Sequence, residues 1–316
     1  MSLFQTLLKT IGKLKKISVL WSTKENEMKV AGFTIIKNAV VNDFPIVEAI
    51  RSILPVVDEM IVLIGDSTDE TIALIESIGD PKIKIHHSVW NPNLRKGGAV
   101  LADETNKAFK LIDPSSTWAF YIQADEVLHE QYYSIIKEAC NNYADQQRVQ
   151  GLLFKYLHFY GTYDYVGDSR RWYHREVRII RNDQKIQAYR DAQGFRVKNK
   201  KLLVKLIDAY IYHYGWVKEP KAMQRKQESF TKLWHDDEWV KKNVAAAAEY
   251  DYSNIDLLAE YQGTHPAVFA KRIREARWNF DYSDSKVKRN FKYRLLYWIE
   301  RLTGWRAGEY KNYKSI

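Results

Sequence analysis

The stretch Trp118-Ala119-Phe120-Tyr121-Ile122-Gln123-Ala124-Asp125-Glu126 runs from an apolar segment straight into two carboxylates. A short continuous apolar run with a polar boundary is what a strand buried on both faces requires. Its acidic end puts hard oxygen ligands at the rim of a sheet, the kind that bind Mg²⁺ or Mn²⁺ together with substrate phosphates. Helix capping by Asp125 and Glu126 is the competing reading, because a helical pattern follows over 132–143.

Working back from that stretch, apolar runs over 30–36, 60–64 and 83–85 predict three more strands. Helical patterns separate them, over 45–54, from Ser67 to Ile78 and over 100–111. The second opens on Ser67-Thr68-Asp69-Glu70, which has capping-box spacing. Strands alternating with helices of this length predict an α/β fold, a mostly parallel, doubly wound sheet. Ligands of such sheets sit beyond the carboxyl ends of the strands. Asn38, Asp66 and Asp125 all fall at or just after such ends.

Working forward, strands are expected over 152–159, 176–180 and 209–212, with an aromatic and arginine-rich stretch over 160–175. From Lys221 the chain reads as helical and charged, with a break at Gly263-Thr264-His265-Pro266. A last helix over 287–302 carries an apolar stripe of Phe291, Leu295, Trp298, Ile299 and Leu302. At the other end, Leu3, Phe4, Leu7, Leu8, Ile11 and Leu14 share one side of a helix, with Lys9, Lys13 and Lys16 opposite. That pattern suits a helix packed on the body with a solvated basic face, and also one lying on an anionic membrane. The expected organisation is an amphipathic extension over 1–27, a main domain over 28–218 with halves at 28–150 and 151–218, and a helical region over 219–316.

Composition narrows the partners. Lys and Arg number 49 against 39 Asp and Glu, a net charge of +10 that suits an anionic ligand or surface. No nucleic-acid motif accompanies the charge, so nucleic acid is not expected as a partner. Cys140 is the lone cysteine, which excludes an intrachain disulfide. No apolar run approaches the roughly 20 residues that span a bilayer, and no secretory signal opens the chain, so a cytoplasmic protein is expected. Tyr (21) and Trp (10) are abundant enough to line a site that stacks sugars or bases.

Three segments together resemble the family 2 glycosyltransferases, whose GT-A fold binds nucleotide sugars. Phe33-Thr34-Ile35-Ile36-Lys37-Asn38 is similar to that family's opening strand ending in Asn. Ile61-Val62-Leu63-Ile64-Gly65-Asp66-Ser67-Thr68-Asp69-Glu70-Thr71 is similar to its strand and acidic Ser-Thr-Asp turn. Gln123-Ala124-Asp125-Glu126 resembles its Asp-x-Asp metal motif, with Gln123 where the family usually has Asp. The likeness covers about residues 29–145. It implies that Asp125 is a metal carboxylate and that Gln123 bonds to ribose or a metal-bound water. It further implies that Asp66 contacts the base, and that Asn38 and Asn106 serve the donor.

Other residues carry weaker signals. Lys96-Gly97-Gly98 offers glycines for close backbone approach and, with Arg95, a charge for a diphosphate, or else an ordinary solvated turn. Asp191 is the expected catalytic base, with Asp168 and Glu130 as rivals and a turn-forming Asp as the plain alternative. His213 resembles the late histidine that joins the metal site in some GT-A enzymes; a structural histidine is the alternative. Arg170, Arg171 and Trp172 suit a phosphate and a sugar ring, or form an internal cation–π knot.

The resemblance therefore implies a metal-dependent, inverting glycosyltransferase. Its donor would be a nucleoside diphosphate sugar and its acceptor a glycan or lipid-linked molecule of cell-surface polysaccharide or lipopolysaccharide synthesis. Work at the inner face of an anionic membrane fits the basic, aromatic chain ends. A non-catalytic GT-A-like protein that binds nucleotide sugar or glycan is the alternative, motivated by Gln123 and the altered second motif.

Overall fold

The computed structural model describes residues 28–94, 96–243, 247–253, 255, 257–280, 282, 291–306 and 308–316. The helix expected over 3–17, Arg95 and the first residues of the last helix lie outside them.

Strands β1 (Val30–Ile36), β2 (Glu59–Ile64), β3 (Ile83–His87) and β4 (Trp118–Tyr121) pair in the order β3-β2-β1-β4, all parallel. Every residue of β1, β2 and β4 is buried, which explains their unbroken apolar sequences. In register, Phe33 faces Ile61 on one side and Tyr121 on the other. Beyond β4 come β8 (Arg175–Arg181), β6 (Gly151–Tyr160) and the long β12 (Leu203–Trp216). Of these, β8 runs antiparallel to both neighbours, while β6 and β12 follow the direction of β4. The sheet is thus mostly parallel, as expected. The strand β5 (Glu126–Leu128) pairs antiparallel with β12, opposite His213.

Helices cover both faces. On one, α1 (Ile46–Ile53) and α4 (Tyr133–Tyr143) bury Ile46, Ile50, Ile53, Ile136 and Cys140. The indole of Trp118 donates to the Cys140 carbonyl at 3.0 Å, tying α4 to the sheet. On the other face, α3 (Ala99–Lys110) packs Val100 and Phe109 against Phe33 and Tyr121. Each such fully buried side chain contributes roughly 1.5–3 kcal/mol.

A three-stranded sheet of β9 (Ile186–Tyr189), β10 (Gly194–Val197) and β11 (Lys200–Lys201) adjoins this face. The region after Lys218 is helical, with α5 (Pro220–Thr231), α6 (Asp237–Asn243), α7 (Ala270–Glu275) and α8 (Phe291–Thr303). Short strands interrupt it: β13 (Leu258–Glu260) pairs with β7 (Tyr165–Gly167), and β14 (Lys314–Ser315) joins β12.

Two local expectations change. The capping box does not form: α2 (Thr71–Glu76) begins later, and its Glu70 cap makes no side-chain bond. Ser67 instead accepts from the Asn38 amide at 3.0 Å, and Asp69 accepts from Val41 and Thr71 amides at 2.9 and 3.1 Å. The capping reading of Glu126 also falls, since that residue lies in β5.

Candidate active site at the strand ends

The order β3-β2-β1-β4 reverses direction at β1, and the crevice at such a switch point is where open α/β sheets place ligands. A cavity of about 700 Å³ opens there. Ile36, Lys37 and Asn38 border it from the end of β1, and Tyr121, Gln123 and Asp125 from the end of β4. The cavity also takes in Asp191, His213, Arg171 and Trp172. Its remaining wall is aromatic, with Phe44, Phe230, Trp234 and Trp239, and Trp239 stacks on His235 at 3.6 Å.

Asp125 is the electrostatic centre. Its Oδ2 lies 2.9 Å from the Lys226 ammonium and its Oδ1 3.7 Å from His213 Nε2. Burial opposes the Asp125 charge, but the Lys226 ammonium beside it outweighs that and holds the carboxyl well below the usual carboxylate range. His213 is pulled the other way: burial pushes its pKa down, although Asp125 opposes the shift.

The tautomer of His213 follows from its partners. His158 Nε2 lies 3.0 Å from the Tyr173 carbonyl, an acceptor, so that nitrogen carries the proton. Burial holds His158 neutral, which leaves its Nδ1 as acceptor for His213 Nδ1 at 3.3 Å. A neutral His213 then presents the Nε2 lone pair toward Asp125.

Gly215 completes this corner. A Cβ there would lie 2.5 Å from Asp125 Oδ2 and 2.6 Å from His213 Nε2, so glycine keeps open a pocket bounded by two donor atoms. One carboxylate oxygen and one imidazole lone pair around a small cradle fit a divalent ion that takes its other ligands from phosphate and water. Among the described residues no group of three His, Cys, Asp or Glu side chains could hold a metal unaided.

The adjacent Glu126 has a different fate. It is fully buried and forms a bidentate pair with the fully buried Arg178, at 2.8 and 3.0 Å from Nε. Glu126 Oε2 also accepts from the Gln123 amide at 3.0 Å, which shapes the Gln123–Asp125 turn. From the other end of its guanidinium, Arg178 donates to the Gln193 carbonyl at 3.0 Å. The pair thus fastens the Asp125 turn to the loop that carries Asp191.

Asp191 faces the cavity from a strained loop. Its neighbours Arg190 and Ala192 have φ of 56° and 60°, conformations that non-glycine residues adopt at a cost of order 1–3 kcal/mol each. Burial pushes the Asp191 pKa up. Gly98, at φ 72°, approaches so closely that a Cβ would sit 2.9 Å from Asp191 Cβ and 3.2 Å from Trp234. Of the glycine pair read as allowing close approach to a ligand, Gly98 instead makes room for Asp191.

Several expected residues lie elsewhere. Asp66 is not in the cavity wall; it pairs with Lys37 at 2.7 Å and accepts from the Trp90 amide at 3.1 Å, tethering two wall residues. Asn38 borders the cavity, yet its side-chain oxygen accepts from the Thr68 amide at 2.8 Å, joining the first two loops. Asn106 accepts from the Ala188 amide at 2.8 Å and ties α3 to β9, a packing role that removes it from the donor site. Lys96 stands exposed in a short turn outside the wall. Arg170 is held by Glu300 at 3.0 Å, away from the cavity. The rival bases are engaged too: Asp168 accepts from Tyr297, and Glu130 from the Ala267 amide at 3.2 Å.

Lys226, Gln193, Phe44 and Trp234 escaped sequence reasoning. Lys226 stands 101 residues from Asp125 in a charged stretch with no recognisable motif.

No family model matches the chain, and no curated protein sequence does. Solved structures with a similar backbone include S. aureus TarS, at 17% identity and a TM-score of 0.39, over 64% of this chain and 39% of that one. TarS 1-349 in complex with UDP-GlcNAc matches at 16% identity and 0.40, over 64% of this chain and 65% of that one. Glucosyl-3-phosphoglycerate synthase from Mycobacterium tuberculosis, in complex with Mn²⁺, UDP and phosphoglyceric acid, matches at 19% and 0.29, over 42% and 44%. The chain thus spans about two fifths of TarS. At these identities and scores the likeness says nothing of function.

Proposed function

We propose that the protein is a glycosyltransferase that moves a sugar from a nucleoside diphosphate sugar to an acceptor hydroxyl. The observation that carries this reading is the cavity at the switch point, with the Asp125–His213–Gly215 cradle and a buried, raised-pKa Asp191 in one wall. A divalent ion held by Asp125 and His213 would neutralise charge on the departing diphosphate.

The chain's own residues do the rest. Asp125, kept ionised by Lys226, would hold the cation side of the site. Aromatic faces of Trp234 and Trp239 would offer stacking surfaces for base and sugar, while Trp172 is packed in the core beneath the wall. Arg171, exposed at the cavity mouth, suits a phosphate or a polar acceptor. Asp191 would take the acceptor proton, and a carboxylate whose pKa burial raises is the better matched to that task. Direct attack assisted by such a base inverts the anomeric centre.

A glycan or lipid-linked acceptor of cell-surface polysaccharide, met at the inner membrane face, agrees with the outside of the molecule. Leu295, Trp298, Leu302 and Trp305 are 47, 61, 64 and 64% exposed along and just after α8. Large apolar side chains of this kind on a basic protein suit an anionic bilayer surface. Among the described residues no helix is long and apolar enough to cross a membrane.

The deciding experiment is a panel of UDP, GDP, CMP and dTDP sugars scored for nucleotide release with Mg²⁺ or Mn²⁺. Release from at least one donor, lost in Asp125→Ala, is the expected result. No release from any, with or without acceptor glycans, would overturn the proposal.

A further inference from the structure

Lys226 occupies an unusual place. It projects from α5, is 9% exposed, and its ammonium lies between the rings of Phe44 at 5.1 Å and Phe230 at 5.7 Å. Its Nζ donates to Asp125 Oδ2 at 2.9 Å and to the Gly215 carbonyl at 2.8 Å. An ammonium has three donors, and these two contacts leave one for the cavity that Lys226 borders. The two contacts also fix the charge in place, so none of the usual ordering of a flexible lysine remains to be done on binding.

Resting on the functional reading above, we propose that Lys226 is a built-in cation of the donor site: its third N–H bonds the diphosphate, so nucleoside diphosphate binding persists without a divalent ion. Lysine is a compact point charge suited to phosphate. It shares Asp125 with the cradle beside Gly215, so the protein-borne and the metal cation act on the same diphosphate from two sides of one carboxylate. Removing Lys226 then has opposite consequences for the two. Contact with phosphate is lost, while Asp125 Oδ2 is released toward the cradle.

The test is a calorimetric titration of UDP, GDP, CDP and dTDP into the full chain, in EDTA and in MnCl₂, for wild type, Lys226→Gln and Lys226→Arg. Wild type is expected to bind at least one diphosphate in EDTA. Lys226→Gln is expected to weaken that binding about ten- to hundredfold and leave binding in MnCl₂ within about threefold. Lys226→Arg, which keeps the charge, is expected to restore most of the EDTA affinity. A merely structural lysine would lower both affinities together, and thermal melting of each variant identifies a fold defect. Wild type that binds only in MnCl₂, or Lys226→Gln that binds in EDTA as wild type does, overturns the proposal and leaves the functional reading standing. Absence of binding to all four diphosphates in both conditions overturns the functional reading itself.

Discussion

Replacing Arg178 by Met removes one half of an ion pair whose other half cannot reach water. Arg178 and Glu126 side chains are both 0% exposed. Arg178 bonds Glu126 from Nε at 2.8 and 3.0 Å and reaches the Tyr156 hydroxyl at 3.3 Å. It also donates to the Val177 and Gln193 carbonyls, each at 3.0 Å. The methionine fills most of the volume but leaves the carboxylate with only Tyr156 and the Gln123 amide as donors. Breaking a buried pair from one side costs about 3–5 kcal/mol, against a total stability of about 5–15 kcal/mol. Urea unfolding followed by tryptophan fluorescence at neutral pH should therefore show a midpoint reduced by about a fifth or more. Arg178→Met combined with Glu126→Gln removes both charges and is expected to recover about 1–3 kcal/mol of that loss. A single mutant less than about 1 kcal/mol below wild type, or a double mutant showing the full sum of the two losses, would refute the assignment of this pair as the clamp beneath the site.

Three further outcomes are expected. Gly215→Ala places a methyl 2.5 Å from Asp125 Oδ2 and 2.6 Å from His213 Nε2, so Mn²⁺-supported UDP binding should fall about 10- to 100-fold with an unchanged circular dichroism spectrum; unaltered binding would empty the cradle of meaning. Asp191→Asn should lower kcat about 10²- to 10⁴-fold and leave UDP affinity intact. Because burial raises the wild-type pKa and the base acts ionised, kcat should climb with pH through a value above the ordinary carboxylate range, and a limb at the ordinary value would count against Asp191. Burial lifts the Glu176 pKa from 4.5 to about 7 despite Arg178 nearby. A raised folded pKa means the Glu176 contribution is complete below 4.5 and lost as pH rises through 7, so wild type should lose about 3 kcal/mol relative to Glu176→Gln across that window; parallel stability curves for the two would contradict it.

The first half of the fold was legible because its strands are buried on both faces. Val30–Ile36, Glu59–Ile64 and Trp118–Tyr121 are buried at every position and apolar at all but Thr34 and Glu59, and such runs are easy to read. The later strands hide for the opposite reason. Within Leu203–Trp216, half-buried Lys205 and exposed Asp208 break the apolar run, so only 209–212 stood out. The Lys200–Lys201 strand is too short and polar to signal itself. At the site, Asp125, Gln123 and Asn38 were legible because strand ends are local features. The Arg170 reading failed because a guanidinium beside aromatics serves a binding site and an internal ion pair equally well, and Glu300 was 130 residues away. Lys226 was illegible for the same reason: only the tertiary fold brings α5 against the end of β4.

The two acidic neighbours show how one sequence feature is divided by the fold. Asp125 ends a turn closed by the Glu126 amide on the Gln123 carbonyl at 3.1 Å, and Glu126 opens the strand β5. Pairing with β12 fixes which goes where: the Tyr214 amide donates to the Asp125 carbonyl at 2.8 Å, and Glu126 takes its place opposite His213. Asp125 is thereby turned to the cavity, where Lys226 keeps it ionised. Glu126 is turned inward, where Arg178 is its full counter-charge and Gln193 is the next link. The carboxylate that binds and the carboxylate that braces are therefore mechanically joined. Displacing Glu126 moves the Gln123 amide on one side and, through Arg178, the loop of Asp191 on the other. That brace, with the Gln193 amide on Asp191 Oδ1 at 3.3 Å and the β9–β10 pairing, holds the positive-φ residues Arg190 and Ala192 in place. The proposed cation site and the proposed base are held in register by a buried pair of charges that lines neither the cavity nor its mouth.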